Sequence, residues 1–177
     1  MQIGMIGLGR MGANMRERLR RGGHEVTGFD RNPEVSDVES LADLVAALPA
    51  GQRVVWIMVP AGDITRGVVT ELAALLTEGD LVIEGGNSHY VDDAKHAEIL
   101  AEHGIGYLDV GVSGGVWGLE NGYGLMAGGA DADISGADIS GMDIAEMDIP
   151  EADFSGSHAA GHDLPHSEAP DHAGHAS

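Results

Sequence analysis

The stretch Gly7-Leu8-Gly9-Arg10-Met11-Gly12 constrains this chain more than any other. Before it lies a short apolar run, Gln2 to Ile6, that reads as a buried strand. After it, Met11, Met15 and Leu19 recur at helical spacing, with Arg16, Arg18 and Arg20 off the stripe. Gly22-Gly23 marks the end of that helix. Three glycines placed G-x-G-x-x-G between a strand and a helix are an anion-binding turn. Gly7 permits a tight turn, Gly9 lets backbone approach a pyrophosphate, and Gly12 lets helix pack on strand. The helix N-terminus, with the N–H groups of Arg10 and Met11, then faces the phosphates.

A second apolar run, Glu25 to Phe29, ends in Asp30, 18 positions after Gly12. A carboxylate there accepts hydrogen bonds from ribose hydroxyls and repels a 2′-phosphate, so it favours NAD. Arg31 argues the other way, because a guanidinium can pair with that phosphate, and NADP stays as the alternative.

Strand-like and helical segments then alternate. Pro33 is read as a helix start, with Val35, Val38, Leu41, Leu44, Val45 and Leu48 at helical spacing. The continuous run Val54 to Val59 predicts a central parallel strand covered on both faces. Asp63 is placed as the cap of a helix running to Leu76. Leu81 to Ile83, Tyr107 to Val110 and Tyr123 to Ala127 complete the expected strands, and Val91 to Glu102 a polar-faced helix. This alternation predicts an α/β fold: a Rossmann-type, doubly wound, mainly parallel sheet with helices on both faces. Two further glycine-rich stretches, Glu84 to Ser88 and Val112 to Gly118, fall at strand ends, where such sheets bind ligands.

Charge divides the chain. Residues 1–129 carry 18 acidic and 9 basic residues, net −9, whereas 130–177 carry 11 acidic and none basic, net −11. The boundary is set at Gly129, giving a dinucleotide-binding domain over 1–129 and an acidic tail over 130–177. A total of −20 argues against nucleic acid and against an anionic membrane surface as partners. With no cysteine, disulfides and thiolate chemistry are excluded. The start does not read as a signal peptide, and the whole fits the cytoplasm.

GLGRMGAN (Gly7 to Asn14), IEGGNSHY (Ile83 to Tyr90) and above all DVGVSGGVWGLENGYGLMAGG (Asp109 to Gly129) closely resemble the decarboxylating 6-phosphogluconate dehydrogenases. FDRNPE (Phe29 to Glu34) looks like the NAD-preferring branch of that family. The resemblance implies oxidation of 6-phosphogluconate at C3 and decarboxylation to ribulose 5-phosphate, a step of the pentose phosphate pathway. It implies that Gly7 to Gly12 hold the pyrophosphate and that Asp30, Arg31 and Asn32 lie by the adenosine ribose. Val59, Pro60 and Ala61 would line the cofactor cleft, Asn87 would touch cofactor and substrate, and Ser113, Gly114 and Gly115 would bind the sugar acid.

Family members continue into a helix with a lysine general base and a glutamate general acid. Nothing like it follows Gly129, and Lys95 is the last basic residue. No catalytic residue is therefore assigned, and the chain by itself is expected to bind nucleotide and turn over poorly. A truncated or frame-shifted gene end is the expected cause. Glu120 is read as a capping residue. Absence of the second domain is expected to expose apolar surface and favour a homo-oligomer. The alternatives are a non-catalytic dinucleotide-binding module or gene remnant, and another β-hydroxyacid dehydrogenase.

The tail repeats Ala/Met-Asp-Ile/Phe every five residues from Ala132 to Phe154, then carries His158, His162, His166, His172 and His175. Five units barely exceed one coil of a pentapeptide solenoid, which has no neighbour to stack on. Disorder is expected, and with Pro165 and Pro170 opposing a helix no metal site is assigned.

Overall fold

The computed structural model describes residues 1–129. The expectations for 130–177, the repeats, histidines and disorder, lie outside the described residues. The strands are β1 (Gln2–Ile6), β2 (Glu25–Phe29), β3 (Val54–Ile57), β4 (Leu81–Glu84), β5 (Gly106–Ser113) and β6 (Gly124–Gly129). The helices are α1 (Arg10–Arg21), α2 (Leu41–Ala47), α3 (Asp63–Leu75), α4 (Tyr90–Ala101) and the short α5 (Gly118–Asn121). A single 3-10 turn, Gly115–Trp117, precedes α5.

One six-stranded sheet runs in the order β2-β1-β3-β4-β5-β6. The first five strands are parallel and β6 is antiparallel to β5, so the sheet is mainly parallel, as the alternation predicts. The chain leaves β1 for β2 on one side and returns to β3 on the other. Between β1 and β3 the order reverses, which opens a crevice at the strands' carboxyl ends.

Alternate residues of the central strands serve two cores, because successive strand side chains point to opposite faces. Ile6, Val55, Ile57 and Val82 pack with α2, α3 and α4 through Leu44, Val69, Leu72 and Leu100. Ile3, Met5, Trp56, Ile83 and Leu108 pack on the other face with Met15 of α1 and with Tyr123. Trp56, Ile3 and Ile57 are all but fully buried. Gly4 stands below Leu44 and Leu48, where a Cβ would meet Leu48 at 3.1 Å.

The helix expected from Pro33 begins only at Leu41. Polar side chains take up the intervening backbone instead: Asp30 accepts from the Asn32 N–H at 2.8 Å, and Asn32 from the Glu34 N–H at 3.1 Å. Such local bonds compete with helix formation. The true cap is Ser40, whose hydroxyl accepts from the Asp43 N–H at 3.1 Å. Asp63 likewise is not a cap. Gly62, with φ of 94°, holds that position, and Asp63 opens α3 with an ion pair to Arg66 at 2.9 Å. Strand β3 stops at Ile57, two residues before the apolar run ends, because Met58 and Val59 turn into the crevice. β5 runs on to Ser113, since β6 pairs with it from Leu108 to Ser113.

Candidate functional site

A cleft of about 720 Å³ lies at the carboxyl ends of the strands, over the switch between β1 and β3. Gly7, Gly9, Arg10, Met11 and Gly12 form its floor. Asp30 and Arg31 stand at one end, Val59 and Pro60 at the middle, and Gly85, Gly86 and Asn87 at the other. Residues far apart in the chain, singled out from sequence, are thus brought to one crevice.

The three glycines of the turn are there for different reasons. Gly7 has φ of 89°, and a Cβ on it would lie 2.7 Å from the Met58 carbonyl oxygen. A Cβ on Gly12 would fall 1.9 Å from the Gly7 carbonyl oxygen, so only glycine lets α1 seat on β1. Around Gly9 there is nothing within 4 Å. Gly9 is also the N-cap of α1, with no side-chain cap, and the first turn of the helix has no acidic residue. The first-turn N–H groups have no intrahelical partner. An open space beside a positive helix end fits a phosphate.

Asp30 is fixed before any ligand arrives. Its Oδ2 accepts from the Leu8 N–H at 2.7 Å and its Oδ1 from the Asn32 N–H at 2.8 Å. Each oxygen keeps a second lone pair for a ribose hydroxyl. Leu8 and Asn32 therefore orient the carboxylate and do not line the cleft themselves; the Leu8 side chain is in the core. Arg10 and Arg31 both line the cleft and are exposed, and neither forms an ion pair among the described residues. Ala61 is exposed and outside the lining.

Val112 lines the cleft, whereas Ser113, Gly114 and Gly115, which follow it, do not. The Ser113 hydroxyl donates to the Gly124 carbonyl at 3.3 Å. Gly114 and Gly115 take φ of 128° and 51° in the turn that follows. Glu120 accepts from Arg21 of α1 at 3.2 Å rather than capping its own helix.

Sequence reasoning missed a buried group behind the Gly85–Asn87 end. The Glu84 carboxylate, fully buried, accepts from the Tyr107 hydroxyl at 2.8 Å and lies 2.9 Å from His96 Nδ1. Ser88 donates to its other oxygen. Asp93 stands 3.4 Å from the Tyr107 hydroxyl. Burial and then the Glu84 charge push the Asp93 carboxyl up. Asp109 is raised by burial and by Asp93 and Glu84. Burial, and then the bond to Glu84, raise the Tyr107 hydroxyl too. Polar atoms of Glu84, Asp93 and His96 come within 4.8 Å of one another, and the Tyr107 hydroxyl on both carboxylates together with His96 on Glu84 accounts for that closeness. The available signal was His96 itself, set between the apolar Ala94 and Ala97 on α4.

The family model described as the NAD binding domain of 6-phosphogluconate dehydrogenase matches residues 2–139. The chain is 41% identical over 138 residues to the NAD(+)-dependent, decarboxylating 6-phosphogluconate dehydrogenase of Haloferax volcanii, covering 73% of this chain and 45% of that protein. Among solved structures it is similar to Plasmodium falciparum 6-phosphogluconate dehydrogenase, with TM-score 0.71 and 25% identity over 77% of this chain and 32% of that one. It is also similar to Mycobacterium tuberculosis 3-hydroxyisobutyrate dehydrogenase, with TM-score 0.68 and 30% identity over 76% and 48%. The chain spans less than half the length of each of these relatives. Among the described residues, no helix is long and apolar enough to cross a membrane.

Proposed function

The chain belongs to the family of the NAD-binding domain of 6-phosphogluconate dehydrogenase, and from that premise we propose that its cleft binds NAD for the oxidative decarboxylation of 6-phosphogluconate. The observation that carries this is the open space over Gly9 opposite a preset Asp30. The pyrophosphate sits on the first turn of α1, and Asp30 takes the adenosine ribose hydroxyls. Asn32 acts through Asp30, and Val59 and Pro60 bound the middle of the site, with Ala61 outside it. The bound cofactor supplies the hydride acceptor. Asn87 touches both cofactor and sugar acid, and Ser113 to Gly115 bind the sugar acid from beyond Val112.

The residues lining the cleft include neither lysine nor histidine. Lys95, the sole lysine of the sequence, sits on α4 beside Asp92 at 3.5 Å. Without a base to take the C3 hydroxyl proton, a contribution of about 10²–10⁴-fold is lost. These residues therefore bind and orient, and the base comes from outside 1–129. The likeness to 3-hydroxyisobutyrate dehydrogenase supports a second reading, a different β-hydroxyacid as substrate. The long DVGVSGGVWGLENGY motif favours the sugar acid.

Calorimetric titration with NAD and NADP, beside NADH production from 6-phosphogluconate, tests the proposal. NAD binds more tightly than NADP, and turnover is far below the usual enzyme range of about 1–10³ s⁻¹. No binding of either nucleotide at millimolar concentration overturns the cofactor reading.

A further inference from the structure

The cleft has a direction. Asp30 lies at the β2 side, the glycine turn follows β1, Val59 follows β3, and Gly85 to Asn87 follow β4. A dinucleotide with its adenosine ribose at Asp30 and its pyrophosphate on α1 must extend its nicotinamide half toward β4. What sets the loop after β4 therefore sets the nicotinamide end.

Two anchors hold that loop. On its underside Gly85 and Gly86 press on β3 and the turn after it. A Cβ on Gly85 would lie 2.6 Å from Trp56 Nε1, and one on Gly86 would lie 2.5 Å from the Val59 carbonyl oxygen. At its far end the Ser88 hydroxyl is held by Glu84. Between the anchors Asn87 adopts φ of 62°, and among the described residues it is the one non-glycine with positive φ. Asparagine tolerates that conformation better than most residues, but it still needs its neighbours to impose it.

Glu84 is suited to impose it. Its carboxylate is buried and bonded on every side: Tyr107 from β5, His96 from α4, and Ser88 from the loop. A buried carboxylate held by two rigid elements cannot swing to follow the loop, so the loop must conform to it. We propose that Glu84 is a positioning residue that fixes loop 85–88 through the Ser88 hydroxyl and so presets Asn87 for the nicotinamide half of the cofactor. The inference rests on the cofactor reading above. It adds that affinity for the nicotinamide half depends on a group that never touches the ligand.

ADP-ribose, which is NAD without its nicotinamide, separates the two halves. Full-chain protein, unsubstituted and as Ser88→Ala, Glu84→Gln and the double variant, is titrated with NADH and with ADP-ribose, and folding is checked by thermal melting. Releasing the loop lowers the fraction in the binding-competent form, and NADH affinity is expected to fall about tenfold in Ser88→Ala. ADP-ribose affinity should stay within about twofold, because its contacts lie at the other end. Glu84→Gln should show the same selective loss, and the double variant no more than either single, since both cut one link. Should Glu84→Gln not fold, Ser88→Ala carries the test. Equal losses for both ligands, or no loss for NADH, overturn the positioning role while leaving the cofactor reading intact. Failure of the unsubstituted chain to bind either ligand overturns both.

Discussion

Two glycine-rich loops close the cleft, and they are built on opposite plans. After β1, Gly7 and Gly12 are forced by contacts within the loop and with Met58, while Gly9 faces open space. After β4, both Gly85 and Gly86 are forced by contact with Trp56, Met58 and Val59, and the side chain this loop offers to the cleft is that of Asn87. Each loop has a carboxylate behind its geometry. Asp30 sits in the cleft, supports Leu8 and keeps lone pairs for a ligand. Glu84 is sealed in the core with its bonding spent on the protein. The first loop thus offers backbone and charge to a ligand directly. The second offers one side chain, Asn87, held by groups out of the ligand's reach. The same residue types, glycine with an acid, do different work according to burial.

The largest break in this comparison comes from Gly12→Ala. Its Cβ would overlap the Gly7 carbonyl, and overpacking of that kind costs about 3 kcal/mol. Urea unfolding should show the loss whether or not NAD is present; an unchanged midpoint would mean that α1 moves off β1 freely. Next comes Asp30→Ala, which removes hydrogen bonds to a charged group. NAD affinity should fall on the order of 10–100-fold, with NADP penalised less. Calorimetry with both nucleotides reads this directly, and equal losses would take Asp30 out of cofactor selection.

Gly9→Ala separates the two kinds of glycine. With no neighbour within 4 Å and φ of −60°, the variant should fold as well as the parent. The added methyl occupies the phosphate's approach, so NAD affinity should drop about tenfold. A loss of stability with unaltered affinity would reverse the roles given to Gly9 and Gly12.

The smallest effect belongs to the charge behind the second loop. Burial, with Asp93 and Glu84 nearby, raises the Asp109 carboxyl above its ordinary 3.8. The folded state then holds the proton more tightly than the unfolded state. The ionised group costs stability above its folded pKa, and the cost fades as pH falls toward 3.8. Asp109→Asn should raise Tm by about 2 °C near neutral pH and by less near pH 4. A gain that is equal at both values would point to packing rather than charge.

Much of the first loop was legible in the sequence, because its parts are contiguous. Gly7 to Gly12 and Asp30 stand in fixed order around one strand–turn–helix–strand unit, and the glycine spacing in that context located it. The second loop was visible only as a glycine-rich strand end. Its support comes from His96 and Tyr107, which no spacing rule ties to Glu84, since three separate elements must pack before the residues meet. The delayed start of α2 was hidden for a related reason. Val35 and Val38 keep helical spacing, but Asp30, Asn32 and Asp37 satisfy the backbone around them first.

The class of the sheet, the two faces of its central strands and the glycine turn were readable without coordinates, because they follow from local periodicity and from glycine's missing Cβ. Folding in three dimensions was needed to show that Asp30 is held by Leu8, that the cleft lining stops at Val112 short of Ser113 to Gly115, and that a buried carboxylate underlies the loop of Asn87. Those features depend on burial and on contacts between distant segments, which exist only once the sheet has assembled.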